Sequence, residues 1–315
     1  MNITVILCTY NRWQSLEIAL DSAARLLVPP SVSWEILVVD NNSKDQTRSV
    51  IESFCEKYPG HFRYLFEARP GKSHALNAGL RATQADIVAF MDDDVVVDPD
   101  WLLELTVCLQ RGHCAGSGGR ILPDWTGPRP NWLPLADRYG LAPLAMFDLG
   151  TEPAQLDESP FGTNMAFKRE VFEKYGVFRT DLGPRPDSEI RNEDTEFGQR
   201  VLAAGETLWY VPSAVVHHAV PESRLRQEYF LKWWFDKSRA DIREFGIPAG
   251  TRAFVAGVPL YLFRRLAVWT LRWLITLNPS RRFSNKIKVW GRMGEISECY
   301  HRSHGSAEST EERRG

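Results

Sequence analysis

The chain has 315 residues, a formal net charge of −2, and 43% hydrophobic against 25% charged residues; this supports one large core, or a core with an appendage, and excludes a disordered protein apart from the tail. Its five cysteines, Cys8, Cys55, Cys108, Cys114 and Cys299, are odd in number and contain no CxxC pair, which argues against a disulfide framework or thiolate zinc site and for a reducing, cytoplasmic location. Charge is uneven: from Pro221 onward ten acidic and eighteen basic residues give +8, leaving −10 before it, so the two parts are expected to meet different partners.

Residues 1–8 carry no basic leader and too short an apolar run for a signal peptide, so they read as the first strand of a protein that is not exported. Apolar runs at 3–8, 35–39, 62–66 and 87–91 alternate with helix-period segments at 13–26, 47–56 and 73–82, the pattern of βαβ units around a largely parallel sheet. Ser43 and Gln46 have the spacing of a capping box opening the second helix. After Gly118 the alternation breaks, and the proline-rich stretch 123–160, with isolated Trp125 and Trp132, is too long for an ordinary connector. A strand at 164–168, helices at 169–175, 194–204 and 223–245, and strands at 207–211 and 215–218 follow, and the last residues read as disordered.

The residues that carry chemistry fall just after strands, where open α/β sheets bind ligands. Asp92, Asp93 and Asp94 end the run 87–91; crowded like charges repel, and a hard divalent cation such as Mn²⁺ or Mg²⁺, which bridges carboxylates to phosphates, relieves them. Asp40 ends the second strand, where it can bind a base N–H, form an Asx turn with the next residues, or do both. Gly71-Lys72-Ser73 opens a helix and imitates the end of a P-loop, but the upstream glycine of that motif is Phe66 here, against an ATPase. Glu193 and Asp194 begin a helix whose positive end keeps Asp194 ionised.

Cys8-Thr-Tyr-Asn-Arg12, Val39-Asp-Asn-Asn-Ser43, Gly71-Lys-Ser-His-Ala-Leu-Asn77, Asp92-Asp-Asp94 and Asn192-Glu-Asp-Thr-Glu196 occur in that order. Together they resemble glycosyltransferase family 2 across roughly residues 3–229, and five ordered motifs are far more specific than any one. The resemblance implies a GT-A fold: a Rossmann-like, mostly parallel central sheet flanked by helices. It also implies a nucleotide-sugar donor and inversion at the transferred sugar. Carried over by position, Thr9, Tyr10 and Asp40 are expected at the base, and Asp92 and Asp93 near ribose and diphosphate, with Asn11, Arg12, Asn42, Lys72 and Asn77 completing the donor set. Asp94 is the expected metal ligand, joined by His218 rather than His217 because of its spacing to Pro221. Asp194 is the candidate base, since an inverting displacement needs one beside the acceptor hydroxyl, and Glu193 supports the acceptor. The domains expected are a catalytic domain over 1–245, with a nucleotide-binding half 1–118 and an acceptor half 119–245, then a helical extension over 246–304 and a disordered tail over 305–315.

In that extension nine Lys or Arg and no Asp or Glu lie between Phe245 and Gly294, interleaved with aromatic residues, a composition suited to an anionic surface. Residues 254–277 approach the length of a membrane span, but Arg264, Arg265 and Arg272 interrupt them. As a helix they place Leu262, Leu266, Trp269, Trp273 and Leu277 on one stripe, suited either to packing on the protein or to peripheral contact with the cytoplasmic face of the inner membrane. No nucleic-acid-binding motif accompanies the arginines. The acceptor expected is a glycan or a polyprenyl-linked glycan of envelope or extracellular polysaccharide synthesis, and the donor a UDP-sugar. A sugar nucleotidyltransferase, or a non-catalytic glycan-binding or scaffold protein, are the competing functions; no GxGxxG follows the first strand, against a dehydrogenase.

Overall fold

The computed structural model describes residues 1–134, 140–186, 188 and 190–311, with side chains through 304. The chain forms two compact units: Met1–Asp124, Ala145–Asp187 and Glu193–Val220 in one; Trp125–Leu144, Ser188–Asn192 and Pro221–Gly315 in the other.

In the first unit, strands β1 (Asn2–Thr9), β2 (Ser33–Asp40), β3 (Phe62–Phe66) and β4 (Ile87–Asp92) alternate with helices α1 (Trp13–Ala23), α2 (Thr47–Lys57) and α3 (Lys72–Ala82). These strands lie parallel in the order β3-β2-β1-β4. Val5, Ile6 and Leu7 of β1 and Ile36 through Val39 of β2 are fully buried, a continuous apolar run because crossover helices cover both faces of a parallel sheet. Beyond β4 the pairing becomes antiparallel. The strands β5 (Val95–Val97), β6 (Gly116–Trp125), β7 (Ala154–Leu156), β8 (Asn164–Lys168) and β9 (Leu208–Val220) extend the sheet as β4-β8-β6-β9-β5, with β7 also on β9. Helices α4 (Trp101–Gln110), α5 (Arg169–Tyr175) and α6 (Glu193–Ala203) complete the unit. This is the α/β class expected, its parallel part confined to β1 through β4.

Two short strands were expected where β9 runs unbroken through Pro212. β7 pairs with Leu208, Trp209 and Tyr210, and β5 with Val216, His217 and His218. Pro212 falls between those ladders, where its missing N–H costs no pairing on that side. The core beneath is aromatic: Phe172 stacks on Phe197 at 4.7 Å and Phe90 meets Phe178 edge-on at 5.5 Å. Trp101 donates its indole N–H to Asn164 Oδ1, and Asn164 Nδ2 reaches the carbonyls of Arg120 and Ala214, so a fully buried amide is satisfied while it ties α4, β6, β8 and β9 together.

Two local expectations are corrected. The capping box does not form: Ser43 Oγ accepts the N–H of Asn11, and Asp45 Oδ1 instead accepts the N–H of Thr47. Asp45 ionised at the helix start is the better acceptor. Cys108 and Cys114 are joined as a disulfide across a six-residue separation, their Cα atoms 6.0 Å apart. Cysteine usage therefore no longer argues for a reducing compartment.

The second unit contains α7 (Gln227–Phe245), a hairpin of β10 (Phe254–Val255) and β11 (Val258–Pro259), α8 (Leu260–Ile275) and α9 (Pro279–Glu311). Both α7 and α8 pack on α9. At Gly294 a Cβ would lie 2.2 Å from the Phe235 carbonyl oxygen, so the missing side chain sets how closely α7 and α9 approach. Buried Glu298 receives Arg239 at 3.2 Å and Arg243 at 2.6 Å from the same helix, and Trp132 packs against Phe230 and Phe283. α7 clusters with the C-terminal helices, so Pro221–Gly315 belong to the second unit together with Trp125–Leu144 and Ser188–Asn192. Of the tail expected to be disordered, 305–311 continue α9 as backbone, and 312–315 lie outside the described residues. Among the described residues, no helix is long and apolar enough to cross a membrane.

Candidate active site

Parallel pairing places Thr9 beside Asp40, and Cys8 beside Asp92. Neighbouring strands lie ~4.8 Å apart, so β2, β1 and β4 deliver Asp40, Thr9 and Asp92 to one carboxyl edge spanning about 10 Å. Immediately after β4, Asp93 is buried; it accepts the Thr9 hydroxyl at 2.7 Å, and the Arg12 guanidinium lies 3.2 Å from Asp93 and 3.1 Å from Asp94. Burial pushes the Asp93 carboxyl up to about 6, with Arg12 opposing. Asp92 accepts Lys72 Nζ at 2.6 Å and the Thr163 hydroxyl at 2.5 Å. Burial would raise its pKa, but Lys72 and these hydrogen bonds hold it below the usual carboxylate range.

β5 follows Asp94 directly and pairs antiparallel with β9, with Val95 opposite His218 and Val96 opposite His217. That ladder sets His218 Nε2 3.5 Å from Asp94 Oδ1, with the imidazole 3% exposed. His217, on the opposite side of the pleat, is half-exposed and lies 3.2 Å from Asp98. The geometry therefore distinguishes two histidines that are adjacent in sequence. A carboxylate oxygen and an imidazole nitrogen converging from two strands fit a divalent cation. Among the described residues, no group of three or more His, Cys, Asp or Glu is arranged to hold a metal ion. A hard cation at a nucleotide is held by one or two carboxylates, with its other positions left to phosphate oxygens and water; Asp94 supplies such a carboxylate here and His218 a nitrogen beside it.

The N-terminus of α6 supplies Glu193 and Asp194. Lys72 Nζ lies 3.7 Å from Glu193 Oε1 as well as 2.6 Å from Asp92, so one ammonium joins the two acidic motifs. Burial of Lys72 disfavours its charge, but Asp92, Glu193 and Asp194 together outweigh this and hold its pKa above the ordinary lysine value. Glu193 is buried and pushed up to about 7 by desolvation, then by Asp194, with Lys72 opposing. Asp194 Oδ2 accepts the Gly162 N–H at 2.6 Å and Oδ1 that of Thr195 at 2.7 Å. Two backbone donors fix this carboxylate at the mouth of α6.

The remaining expected residues divide. Asp40 is buried and accepts the N–H of Ser43, three residues on and so one beyond an Asx turn, at 2.8 Å on one oxygen and the Tyr64 hydroxyl at 3.2 Å on the other. Tyr10, next to Thr9 in sequence, is exposed, and Asn11 and Asn42 both adopt positive φ in the loops that end β1 and β2. Asn11 Oδ1 accepts the Lys44 N–H, and Asn42 Oδ1 the Lys44 ammonium. The Asn77 amide is engaged within the fold: it both donates to and accepts from the Phe178 backbone, at 2.8 and 3.0 Å. The start of α3 is also covered, since the Lys72 N–H goes to the Pro184 carbonyl and the Gly71 N–H to Asn41 Oδ1. Gly71 sits at φ +124°, a conformation only glycine adopts without strain. Thr163, Gly162 and Tyr64 were missed by the sequence reading. The first two precede β8, and only the antiparallel register of Asn164 with Met91 brings Thr163 to Asp92.

Comparison with known proteins agrees with this architecture. The description "Glycosyl transferase family 2" matches residues 4–176, ending before Glu193, Asp194 and His218. The glucosyl-dolichyl phosphate glucuronosyltransferase of Haloferax volcanii is 26% identical over 240 residues, covering 74% of this chain and 75% of that protein. The succinoglycan biosynthesis protein ExoM of Rhizobium meliloti is 27% identical over 234 residues, covering 74% and 71%. Among solved structures, the Pyrobaculum calidifontis mannosyltransferase PcManGT, in complex with GDP-Man and Mn²⁺, superposes with a TM-score of 0.59 at 20% identity, covering 98% of this chain and 75% of that one. Residues 1–349 of S. aureus TarS with UDP give 0.51 at 16%, covering 98% and 92%. With a GT-A fold and more than half its length matched by the family description, the chain belongs to glycosyl transferase family 2 and is a glycosyltransferase.

Proposed function

We propose that the protein moves a sugar from a nucleoside diphosphate sugar, a UDP-sugar first among candidates, to a glycan or polyprenyl-linked acceptor with inversion, in envelope or extracellular polysaccharide synthesis. The observation that carries this reading is the edge where three parallel strands end in Asp40, Thr9 and Asp92, bridged through Lys72 to Glu193 at the head of α6. Asp194, held by the Gly162 N–H, takes the proton of the acceptor hydroxyl as that oxygen attacks the anomeric carbon. The bond to the diphosphate breaks on the opposite face, and the nucleoside diphosphate leaves. Glu193 supports the acceptor, while Tyr10, Asn11, Arg12, Asp40, Asn42 and the Asp92–Asp93 pair contact the donor. Asp94 and His218 would hold Mn²⁺ or Mg²⁺, which supplies Lewis-acid neutralisation of the diphosphate when bound. The neighbour holding GDP-Man and Mn²⁺ and the relative named for a dolichyl phosphate substrate support the donor class, the cation and a lipid-linked acceptor. In this reading the protein works in the cytoplasm, peripherally on the inner membrane.

The test is a panel of UDP-sugars and GDP-mannose with Mn²⁺ or Mg²⁺, read by nucleoside diphosphate release and by the shift in melting temperature. Release of nucleoside diphosphate is expected with at least one donor. Pyrophosphate release from UTP and a sugar 1-phosphate, with none of the donors cleaved, would instead indicate a nucleotidyltransferase, and neither hydrolysis nor a thermal shift would indicate a binding or scaffold protein.

A further inference from the structure

The helix α8 has two apolar faces, and the structure separates them. Of the stripe expected from the sequence, Leu262 is buried. Trp269 and Trp273 turn toward α9, where Trp273 meets Trp290 edge-on at 6.1 Å and the ammonium groups of Lys286 and Lys288 lie over the rings. These residues pack within the unit, while Leu277, the last of the expected stripe, lies beyond the end of α8 and is exposed. The opposite arc, Leu260, Phe263, Val268, Leu271, Leu274 and Ile275, faces solvent, with Leu271 and Leu274 each 60% and Ile275 66% exposed. These residues share one arc along sixteen residues of helix, an apolar strip interrupted only by Arg264 and not scattered surface leucines.

Along α8 itself the charge is only basic; on α9, Glu295 lies within electrostatic range of Arg265 and pairs with Arg292. Arg264 lies within the arc, and Arg265 and Arg272 lie at its border, stacked over Tyr261 and Trp269. Arg281 and Arg282 follow at the start of α9, and no Asp or Glu occurs between Phe245 and Gly294. A protein partner with an apolar groove would be matched by the strip alone. An acid-free strip rimmed by guanidinium groups is complementary to a surface that offers hydrocarbon beneath anionic headgroups. At sixteen residues with three arginines, α8 is too short and too charged to span a bilayer.

We infer that the outer face of α8 docks on an anionic lipid bilayer, with Leu260, Phe263, Val268, Leu271, Leu274 and Ile275 entering the interface and Arg264, Arg265 and Arg272 meeting phosphate headgroups. This deepens the membrane part of the function proposed above by naming the face and the lipid chemistry. The full chain is sedimented with vesicles of phosphatidylcholine alone or with added phosphatidylglycerol. Binding to the phosphatidylglycerol vesicles is expected to be at least roughly tenfold stronger and to weaken, without vanishing, as salt rises. The triple variant Leu271→Ser/Leu274→Ser/Ile275→Ser should lose roughly tenfold in binding to the anionic vesicles. Arg264→Gln/Arg265→Gln/Arg272→Gln should lose the lipid selectivity and its salt dependence. Circular dichroism and melting temperature verify that both variants fold. Equal binding to both vesicle types, an unchanged serine variant, or an oligomer that the serine variant dissolves while vesicles capture nothing would each overturn the inference. Nucleoside diphosphate release measured without vesicles reports separately on glycosyl transfer, so failure of one reading is distinguishable from failure of the other.

Discussion

At the residue scale, Lys72 is the most informative side chain, because its ammonium sits between Asp92 and Glu193 and not in an open phosphate site. Lys72→Met should leave Glu193 with burial and Asp194 pushing its pKa further above about 7 and nothing from Lys72 to oppose them. The acid limb of the pH profile of kcat/KM should then move upward, and Lys72→Arg should restore part of it. The same buried carboxyl sets a stability trend. A folded-state pKa above the unfolded value means that the neutral form is favoured, so Glu193's contribution is fully present below about 4.5 and is lost as pH rises through about 7. Glu193→Gln should accordingly gain stability over the parent at pH 8 relative to pH 5 in urea unfolding. Asp194→Asn should lower kcat by about 10²- to 10⁴-fold while preserving the thermal shift on donor binding; Asp94→Asn should weaken the cation-dependent part of that shift. Arg12, paired with both Asp93 and Asp94, occupies the ground a cation would take, so Arg12→Ala should tighten binding of Mn²⁺ alone in calorimetry.

At the element scale, the parallel half of the sheet was legible because β1 to β4 are apolar runs separated by helix-period segments, and β2 and β4 end in acids. The antiparallel half was not. Nothing in residues 208–220 announces that β9 serves β7 with one end and β5 with the other, yet that ladder alone brings His218 to Asp94. Asn77 shows the reverse failure. Its place in a motif suggested a ligand contact, but the amide spans 101 residues to the Phe178 backbone. Asn77→Leu should therefore destabilise by about 2 to 4 kcal/mol, leaving a buried N–H and C=O without partners, and urea unfolding measures it. Similarly, the α8 stripe was readable from periodicity, but which of two apolar faces stays uncovered depends on where α9 packs.

At the scale of the whole molecule, the chain is acidic before Pro221 and basic from Pro221 onward, and that basic stretch lies wholly in the second unit. Donor and cation should stabilise the folded chain by linkage, about 2.7 kcal/mol at a concentration 100 times the dissociation constant. Adding EDTA should remove most of that gain in a thermal melt if Asp94 and His218 hold the ion.

The pairing of Thr9 with Asp40 and of Cys8 with Asp92 carries one more implication. Side chains alternate with a period of two along a strand, so a slip of β1 by one residue would exchange its inward- and outward-facing side chains and misalign all three chain ends at once. In the proposed function, binding of a sugar nucleotide would thus proofread strand alignment: a misthreaded sheet would present no such edge, and ligand-induced protection from unfolding should appear as a single cooperative transition, never as partial rescue of a slipped form.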